Sequence, residues 1–203
     1  MTMTAANPRE IAVAESTEPS ADVAALRREV GALRAEVARL GAKDQALAVF
    51  HRYLYSLDLD RADEVVACFA PDAVLNVLNF PPGSGKDLRL VGPAEIRPLY
   101  ARHAGALEAS IKGGHHSANV SVAVADDAAS AELSAYFMTS IGGRGWIQGG
   151  MYQVRAARRD DGWWITEMNI ISGWGWSVAE PTMITEPVAA SRAWREGRPA
   201  TAP

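Results

Sequence analysis

The chain has 203 residues, with 20 Lys and Arg against 24 Asp and Glu, and a formal net charge of −4. This mild acidity excludes a protein built to cover nucleic-acid phosphates or an anionic membrane. A single cysteine excludes an internal disulfide and a thiolate zinc site, while 48 % hydrophobic residues suit one globular domain with appendages.

No apolar run approaches the length that a bilayer span needs. Residues 1–10 also lack the basic start and apolar core of a signal peptide. We therefore expect a cytoplasmic protein that contacts neither membrane nor nucleic acid. Any chemistry would fall to few groups, namely four histidines, the carboxylates, the tyrosines and Cys68.

The N-terminal part divides into two predicted segments. Residues 1–21 mix Thr, Ala, Glu, Ser and two prolines without apolar periodicity, which is typical of disorder. Residues 22–42 predict an amphipathic helix, because apolar residues recur in a heptad pattern at Leu26, Val30, Leu33, Val37 and Leu40. Either this helix pairs with another helix as a coiled coil, or it packs on its own domain. Gly41 is expected to break it.

The predicted domain, residues 43–176, begins with helices. Pro71 and Asp72 are expected to end its second helix. The elements expected in its first half are a helix over residues 44–57, a short helix over 60–69, a strand over 73–79, a brief strand over 88–91 and a helix over 93–110.

Strand patterns with short turns dominate the second half, over residues 120–124, 131–140, 146–158 and 163–172. The paired Gly149 and Gly150 predict a bulge in the third of these strands. Helices followed by a four-stranded meander predict an α+β fold, with a curved antiparallel sheet that closes as a cone over helices on its concave face. The tail after Trp174, and residues 177–203 in particular, is expected to be an extended arm.

All six tryptophans lie between Trp146 and Trp194. They could fill the core of the sheet, and some could line an apolar pocket. The two interpretations are compatible, since a strongly bent sheet can enclose a ligand.

Candidate chemistry rests on few residues. There is no phosphate-binding glycine loop before a helix and no Gly-x-Ser-x-Gly elbow, and Cys68 is expected to be a buried structural thiol. The remaining candidates are Tyr53, Asp58, His115 and His116. By itself Asp58 could be a turn residue or a helix cap, and either histidine could be an ordinary exposed residue at the start of a strand. No spacing suggests a metal site.

Several segments between about Asp44 and Trp174 resemble the SnoaL-like family of the nuclear-transport-factor-2-like superfamily. They are Arg52–Asp58, Ala62–Val65, Cys68–Ala73, Gly92–Ile96, a His-x-x-x-Asn signature at His115–Asn119, Gly149–Tyr152 and Asp161–Ile165. The resemblance implies the cone-shaped fold, also called a cystatin-like roll. It is less specific for function, because the fold hosts enzymes and binding modules alike.

The resemblance is nearest to the scytalone dehydratase, bile acid 7α-dehydratase and dehydrochlorinase type. Those enzymes pair an Asp at the end of the first domain helix with the His of the signature, which implies Asp58 and His115 here. The bile acid dehydratase type has a Tyr five residues before that Asp, which implies Tyr53. His115 would then be the base that Asp58 orients, and Tyr53 would assist as an acid or an oxyanion partner.

The sequence also departs from that type. The dehydratases carry a polar catalytic partner on the strand after the His strand, which the stretch Tyr136–Thr139 does not match. The bile acid dehydratase type carries an Arg near the end of the last strand, where this chain has Ser172–Gly173. A more apolar pocket leaves room for isomerisation or cyclisation. Strict alternation would put His116 on the face of Val120, yet the family spacing favours His115. Candidate substrate-binding residues, chosen by strand position, are Asn119, Tyr136, Met138, Trp146, Tyr152 and His116.

The sequence therefore predicts a small cofactor-independent lyase or isomerase, without a metal, that acts on an apolar cyclic or polyketide-like molecule. A homo-oligomer, dimer or trimer, is expected. The alternative is a non-catalytic ligand-binding or assembly module of the same fold, including a scaffold like the β subunit of a ring-hydroxylating dioxygenase. The binding or assembly module predicts that Asp58 and His115 point apart, more than about 4 Å from each other, or that Trp and Met side chains fill the cone. The dioxygenase-like scaffold predicts a stable complex with a large iron-containing partner.

Overall fold

A computed structural model describes residues 21–80, 83–108, 114–141, 146–159 and 162–177. Its elements in chain order are α1 (Ala21–Asp58), α2 (Ala62–Val66), β1 (Phe69–Leu78), β2 (Leu88–Val91), α3 (Gly92–Glu108), β3 (His115–Val124), β4 (Ser130–Ile141), β5 (Trp146–Arg159) and β6 (Gly162–Ser177). The predicted disordered start and the extended arm after Ser177 lie outside the described residues. The segment limits at residues 22, 43 and 177 stay predictions.

Helix α1 is one continuous helix of 38 residues, so the predicted break at Gly41 is wrong. Its sequence is rich in Ala, Leu, Arg and Glu, which favour helix strongly enough to tolerate an isolated glycine. A side chain at Gly41 would meet nothing within 4 Å. The chain divides into two compact units, Met1–Val37 and Ala38–Pro203, and α1 belongs to both.

Helix α1 changes its apolar face along its length. The heptad residues of its first half are exposed. From Ala42 onward a different set of residues, spaced by three and four, is buried: Ala42, Ala46, Val49, Phe50, Tyr53, Leu54 and Leu57. This second face packs into the core of the domain and carries Tyr53 toward the sheet.

The second helix is shorter than predicted. It ends at Val66 rather than Phe69, and β1 starts at Phe69 instead of residue 73. The register of β1 against β6 shifts between Phe69 and Val74. Pro71 lies in that interval and has no N–H to donate, so it interrupts the ladder without ending the strand.

Six strands form one curved, open sheet in the order β2-β1-β6-β5-β4-β3. The predicted four-stranded meander is confirmed as β3 to β6, and its pairs are antiparallel. Strand β1 instead pairs with β6 in parallel, so the sheet is mixed rather than wholly antiparallel. Strands β1 and β2 form an antiparallel pair that extends the sheet beyond the meander.

The core lies between one face of this sheet and the helices. Buried residues from both are Phe50 and Tyr53 of α1, Ile96 and Tyr100 of α3, and Leu75, Leu133, Phe137, Tyr152, Val154, Ile165 and Met168 of the strands. Trp163 is 7 % exposed and belongs to this core, as one interpretation of the tryptophans predicted. No helix in the described part of the chain is long and apolar enough to cross a membrane.

The predicted bulge at Gly149 and Gly150 is present, since the register of β5 against β6 shifts between them. A Cβ on Gly149 would lie 2.5 Å from the indole of Trp174, so only glycine fits under that ring. Strand β6 continues through Trp174 to Ser177. The segment just after Trp174 is thus part of the sheet and not of an arm.

Substitution by alanine should change the stability of the protein in opposite directions at Gly149 and at Gly41. Gly149→Ala should destabilise the protein by about 1–3 kcal/mol, because the new methyl group collides with Trp174. Gly41→Ala should stabilise it by up to about 1 kcal/mol, because alanine favours an unobstructed helix interior. Urea unfolding of both variants checks this, and a Gly149→Ala protein as stable as wild type would contradict the packing described.

Candidate active site

A carboxylate at the end of α1 joins the start of β3. The Oδ1 atom of Asp58 lies 2.6 Å from Nδ1 of His115, and the backbone N–H of His115 donates to the same oxygen at 2.9 Å. Asp58 is the last residue of α1 and His115 the first of β3. One oxygen atom therefore holds both the backbone and the ring of His115.

This contact determines which ring nitrogen of His115 is free to react. A carboxylate accepts hydrogen bonds only, so neutral His115 presents Nδ1–H to Asp58 and leaves Nε2 with a lone pair. The side chains of His115 and Asp58 are 23 % and 31 % exposed. The pair is thus half-buried.

A β-bulge in β3 explains why His115 rather than His116 meets Asp58. Ala118 pairs with Tyr136 of β4, and the next pair is Ser121 with Ser134. Between these pairs β3 advances by three residues and β4 by two, so β3 carries one extra residue. Asn119 lies there with φ 53°, a left-handed conformation that asparagine tolerates well. The extra residue inverts the alternation, which puts His115 and Val120 on the same face.

His116 is exposed, although its ring stays close to the pair. A Cβ on Gly114 would lie 3.6 Å from Nε2 of His116 and 3.8 Å from Oδ2 of Asp58. The second carboxylate oxygen of Asp58 therefore faces the Gly114–His116 side. A substrate contact by His116 stays a prediction.

Tyr53 is fully buried in a cluster of aromatic rings. Its hydroxyl lies 2.9 Å from the hydroxyl of Tyr100 on α3. The ring makes edge contacts with Phe69, Tyr100 and Tyr152, at centroid distances of 5.8, 5.9 and 6.3 Å. Tyr53 is thus held by packing from α3, β1 and β5, and its described hydroxyl partner is Tyr100 rather than His115.

Burial raises the pKa of Tyr53 well above its usual value, and the hydroxyl of Tyr100 and the carboxylate of Asp58 raise it further. Burial likewise raises the pKa of Tyr152, with smaller contributions from Tyr53 and Asp58. Both phenols therefore stay protonated at neutral pH and can donate a hydrogen bond.

Cys68 is buried, as expected from the sequence. Burial raises the pKa of its thiol, an effect that the nearby Arg52 guanidinium partly opposes. Arg52 Nε donates to Cys68 Sγ at 3.3 Å, and the thiol reaches the carbonyl of Glu64. A protonated, enclosed thiol is not poised as a nucleophile.

The pleat of β4 corrects the choice of Tyr136 and Met138 as substrate-binding residues. They are 47 % and 44 % exposed, on the face opposite to the core. Phe137 and Thr139 alternate with them and are buried. The inner positions therefore belong to Phe137 and Thr139, which the period-2 pattern of β4 could have indicated from Leu133 onward.

Thr139 is the cross-strand partner of His115. Its Oγ1 is buried and has no hydrogen-bond partner among the described residues, and neither has Oγ of Ser172 on β6. Phe137 and Ser172 both pair with Gly150 of the intervening strand. Two hydroxyl groups without partners thus lie on the same region of the sheet as the histidine.

The remaining predicted residues are placed as follows. Tyr152 is buried, with its ring 4.7 Å from that of Phe137. Asn119 is exposed, and its observed role is to form the bulge. Trp146 is the first residue of β5, and its side chain lies outside the described part. The sequence did not predict Tyr100 as a site residue, although its position four residues after Ile96 puts both side chains on the buried face of α3.

Metal ligands do not converge in the described segments, where no group of three or more His, Cys, Asp and Glu could hold an ion.

Comparisons with known proteins agree with the fold described above. Residues 38–169 match the family model described as the SnoaL-like domain. No curated protein matches the chain significantly in sequence.

Solved structures share the fold at low sequence identity. A protein from Novosphingobium aromaticivorans assigned as a scytalone dehydratase is 14 % identical with a TM-score of 0.59, covering 76 % of this chain and 97 % of its own. The hexachlorocyclohexane dehydrochlorinase LinA-type3 from Novosphingobium barchaimii is 16 % identical with a TM-score of 0.53, covering 76 % and 94 %. A nuclear-transport-factor-2-like protein with a cystatin-like fold, also from Novosphingobium aromaticivorans, is 16 % identical with a TM-score of 0.56, covering 87 % and 97 %.

The Tyr53–Tyr100 contact predicts a coupled response to removal of its hydroxyls. Tyr100→Phe should cost about 1–3 kcal/mol, because it leaves the buried hydroxyl of Tyr53 unpaired. The double variant Tyr53→Phe/Tyr100→Phe should recover part of that loss, because no orphan group remains. Chemical unfolding of wild type, both single variants and the double variant measures the coupling. Strictly additive losses would show that the hydroxyls do not interact.

Proposed function

Because the chain belongs to the SnoaL-like domain family, we propose that it is a cofactor-independent lyase or isomerase with Asp58 and His115 as its catalytic pair. The resemblance to that family, expected from the sequence, is confirmed, and so is the α+β fold. The dehydratase and dehydrochlorinase names of two proteins of similar fold agree with a reaction that begins by proton removal from carbon.

The observation that carries the proposal is the 2.6 Å contact between Asp58 and His115. An aspartate at a helix C-terminus opposes the macrodipole of its helix, which disfavours it there unless a partner compensates. A second hydrogen bond to the same oxygen, from the backbone of His115, orients the carboxylate. Such an arrangement orients an imidazole for general-base catalysis more tightly than packing alone requires.

In the proposed reaction, Nε2 of His115 takes a proton from a carbon next to an activating group. The C–H bonding pair moves into the substrate and forms a carbanion or enolate. Asp58 stabilises the imidazolium that results. The substrate then either expels a leaving group from the neighbouring carbon, which is elimination, or receives the proton back at another carbon, which is isomerisation.

Tyr53 is proposed to donate a hydrogen bond to the developing oxyanion or to the leaving oxygen. Its raised pKa keeps it protonated and therefore a donor. If Tyr100 donates to the oxygen of Tyr53, the proton of Tyr53 is free for the substrate, so the contact between the two hydroxyls can orient the donor. We propose that the hydroxyl of Tyr53 lies within hydrogen-bonding distance of the bound substrate.

Thr139 supplies a polar group on β4, the strand on which the sequence showed no match to the polar partner of the dehydratases. Opposed residues of antiparallel strands have Cβ atoms about 4.5–5.5 Å apart, so its hydroxyl belongs beside His115. An unpartnered buried hydroxyl costs stability, typically about 1–3 kcal/mol, which is compensated when a ligand oxygen or halogen pairs with it. This supports elimination, since the hydroxyl could stabilise the leaving group.

The proposed substrate is an apolar cyclic or polyketide-like small molecule. The rings of Phe137 and Phe50 pack against that of Tyr152 in the core on the inner face of the sheet. Aromatic walls with a few polar groups suit a ring that carries a carbonyl, hydroxyl or halogen. Which of these it carries distinguishes dehydration, dehydrohalogenation and isomerisation.

Removal of either member of the pair should abolish catalysis without unfolding the protein. Wild type is tested on cyclic ketones with β-hydroxyl groups and on hexachlorocyclohexane, and NMR in D₂O follows both product formation and exchange of the acidic C–H. Asp58→Asn and His115→Ala should each lower the rate by about 10²–10⁴-fold. Their free energies of unfolding should fall by no more than about 1 kcal/mol, since the pair is partly exposed.

His51→Ala is the matched control, because it removes an exposed imidazole from α1 that has no predicted place in the site. It should keep most of the activity. Turnover at the wild-type rate in Asp58→Asn or His115→Ala would refute the catalytic pair. If the wild-type protein bound these ligands but catalysed neither exchange nor elimination, the non-catalytic binding module would be favoured.

Thr139→Val tests the hydroxyl beside His115 with an almost isosteric change. Its stability should stay unchanged or rise, because an unpaired buried hydroxyl is replaced by a methyl group. The elimination rate should fall about 10-fold or more if the hydroxyl stabilises the leaving group. Exchange of the C–H proton should change little. An unaltered elimination rate would remove Thr139 from the mechanism.

A further inference from the structure

The first half of α1 carries a line of apolar side chains, the heptad stripe, made of Val23, Leu26, Val30, Leu33 and Val37. Their spacing alternates three and four, so they share one face of the helix. Leu26, Leu33 and Val37 are 60 %, 59 % and 68 % exposed. A single exposed leucine is ordinary, whereas a continuous exposed row of this kind marks an interaction surface.

Charged residues flank the heptad stripe with opposite signs on its two sides. With valines at the a positions and leucines at the d positions, the g positions hold Asp22, Glu29 and Glu36. The e positions hold Arg27 and Arg34. One edge of the stripe is therefore acidic and the other basic.

We propose that the heptad stripe pairs with the same stripe of a second copy of this chain, as a parallel two-stranded coiled coil. In a parallel, in-register pair each g residue faces the e residue of the following heptad in the partner. Asp22 then faces Arg27, and Glu29 faces Arg34, in both directions across the dimer. An antiparallel pair would instead set arginine against arginine and acid against acid.

The apolar positions agree with the same partner. Valine at a with leucine at d favours two parallel strands over three or four. The stripe extends at most to Leu40, the next d position, which is 47 % exposed. Asp44 and His51 occupy the following a positions, and from Ala42 onward the buried face of α1 serves the core of the domain.

The stripe alone is short, so its helix needs support from elsewhere. A helix of about 12–15 residues is marginal in water by itself. Here the stripe lies on a helix that continues to Asp58, with its later turns held by burial. The exposed segment can therefore be helical before it pairs, which lowers the entropy lost on association.

Sedimentation of the full chain tests the assembly. The variant Leu26→Glu/Leu33→Glu should reduce the mass of the wild-type assembly by half, because four glutamates enter the paired interface. The matched control Ala25→Glu/Ala32→Glu adds the same charge on the exposed side one position away, and should keep the wild-type mass. A wild-type protein that sediments as one chain, or a mass unaffected by the leucine substitutions, would overturn the proposal.

Cysteine cross-linking tests the direction of pairing. Chains with Val37→Cys should form a disulfide with one another under mild oxidation, since parallel a positions face each other. Ala32→Cys, on the outer side, should not. A mixture of Leu26→Cys and Val37→Cys chains should not form the mixed disulfide, which only an antiparallel pair would give. The native Cys68 is buried and does not compete. Cross-linking of the mixture alone, or of neither sample, would refute the parallel pair.

Discussion

The candidate site depends on one oxygen atom. Oδ1 of Asp58 accepts the backbone N–H of His115 and faces its ring nitrogen, and so joins two chain segments 57 residues apart. The energetic value of this contact is modest, because the two side chains are partly exposed. Its value is geometric, since it specifies where the imidazole lies and which nitrogen remains basic. Without it, the free nitrogen of His115 would have no defined direction.

Two irregularities of the sheet determine which side chains join that pair. The bulge at Asn119 inverts the alternation of β3 and brings His115 to the inner face together with Val120. The bulge at Gly149 and Gly150 bends β5 where the indole of Trp174 crosses it. A regular β3 would have placed His116 on the inner face, and a side chain at Gly149 would have collided with that ring. A β-bulge thus decides the chemistry of the face beside it.

Helix α1 performs two tasks with two different faces. Its later turns bury Phe50 and Tyr53 against the sheet, and its last residue supplies the carboxylate that contacts His115. Its first turns present an apolar row with complementary charges on either side. The proposed coiled coil and the proposed catalysis are separable, because Leu26 and Leu33 are remote in sequence from Asp58. A variant that loses assembly can therefore keep its catalytic pair.

The sequence by itself determined the helix-then-meander order, the bulge at Gly149, the heptad row and the pairing of Asp58 with His115 as a candidate, because periodicity, glycine pairs and motif spacing are local or family-level signals. It did not determine the parallel pairing of β1 with β6, the continuity of α1 through Gly41, or the inner position of Thr139 in place of Tyr136 and Met138. These depend on contacts between residues far apart in the chain. Only the tertiary structure decided them, since one extra residue in a strand reverses every side chain beyond it and leaves the composition unchanged.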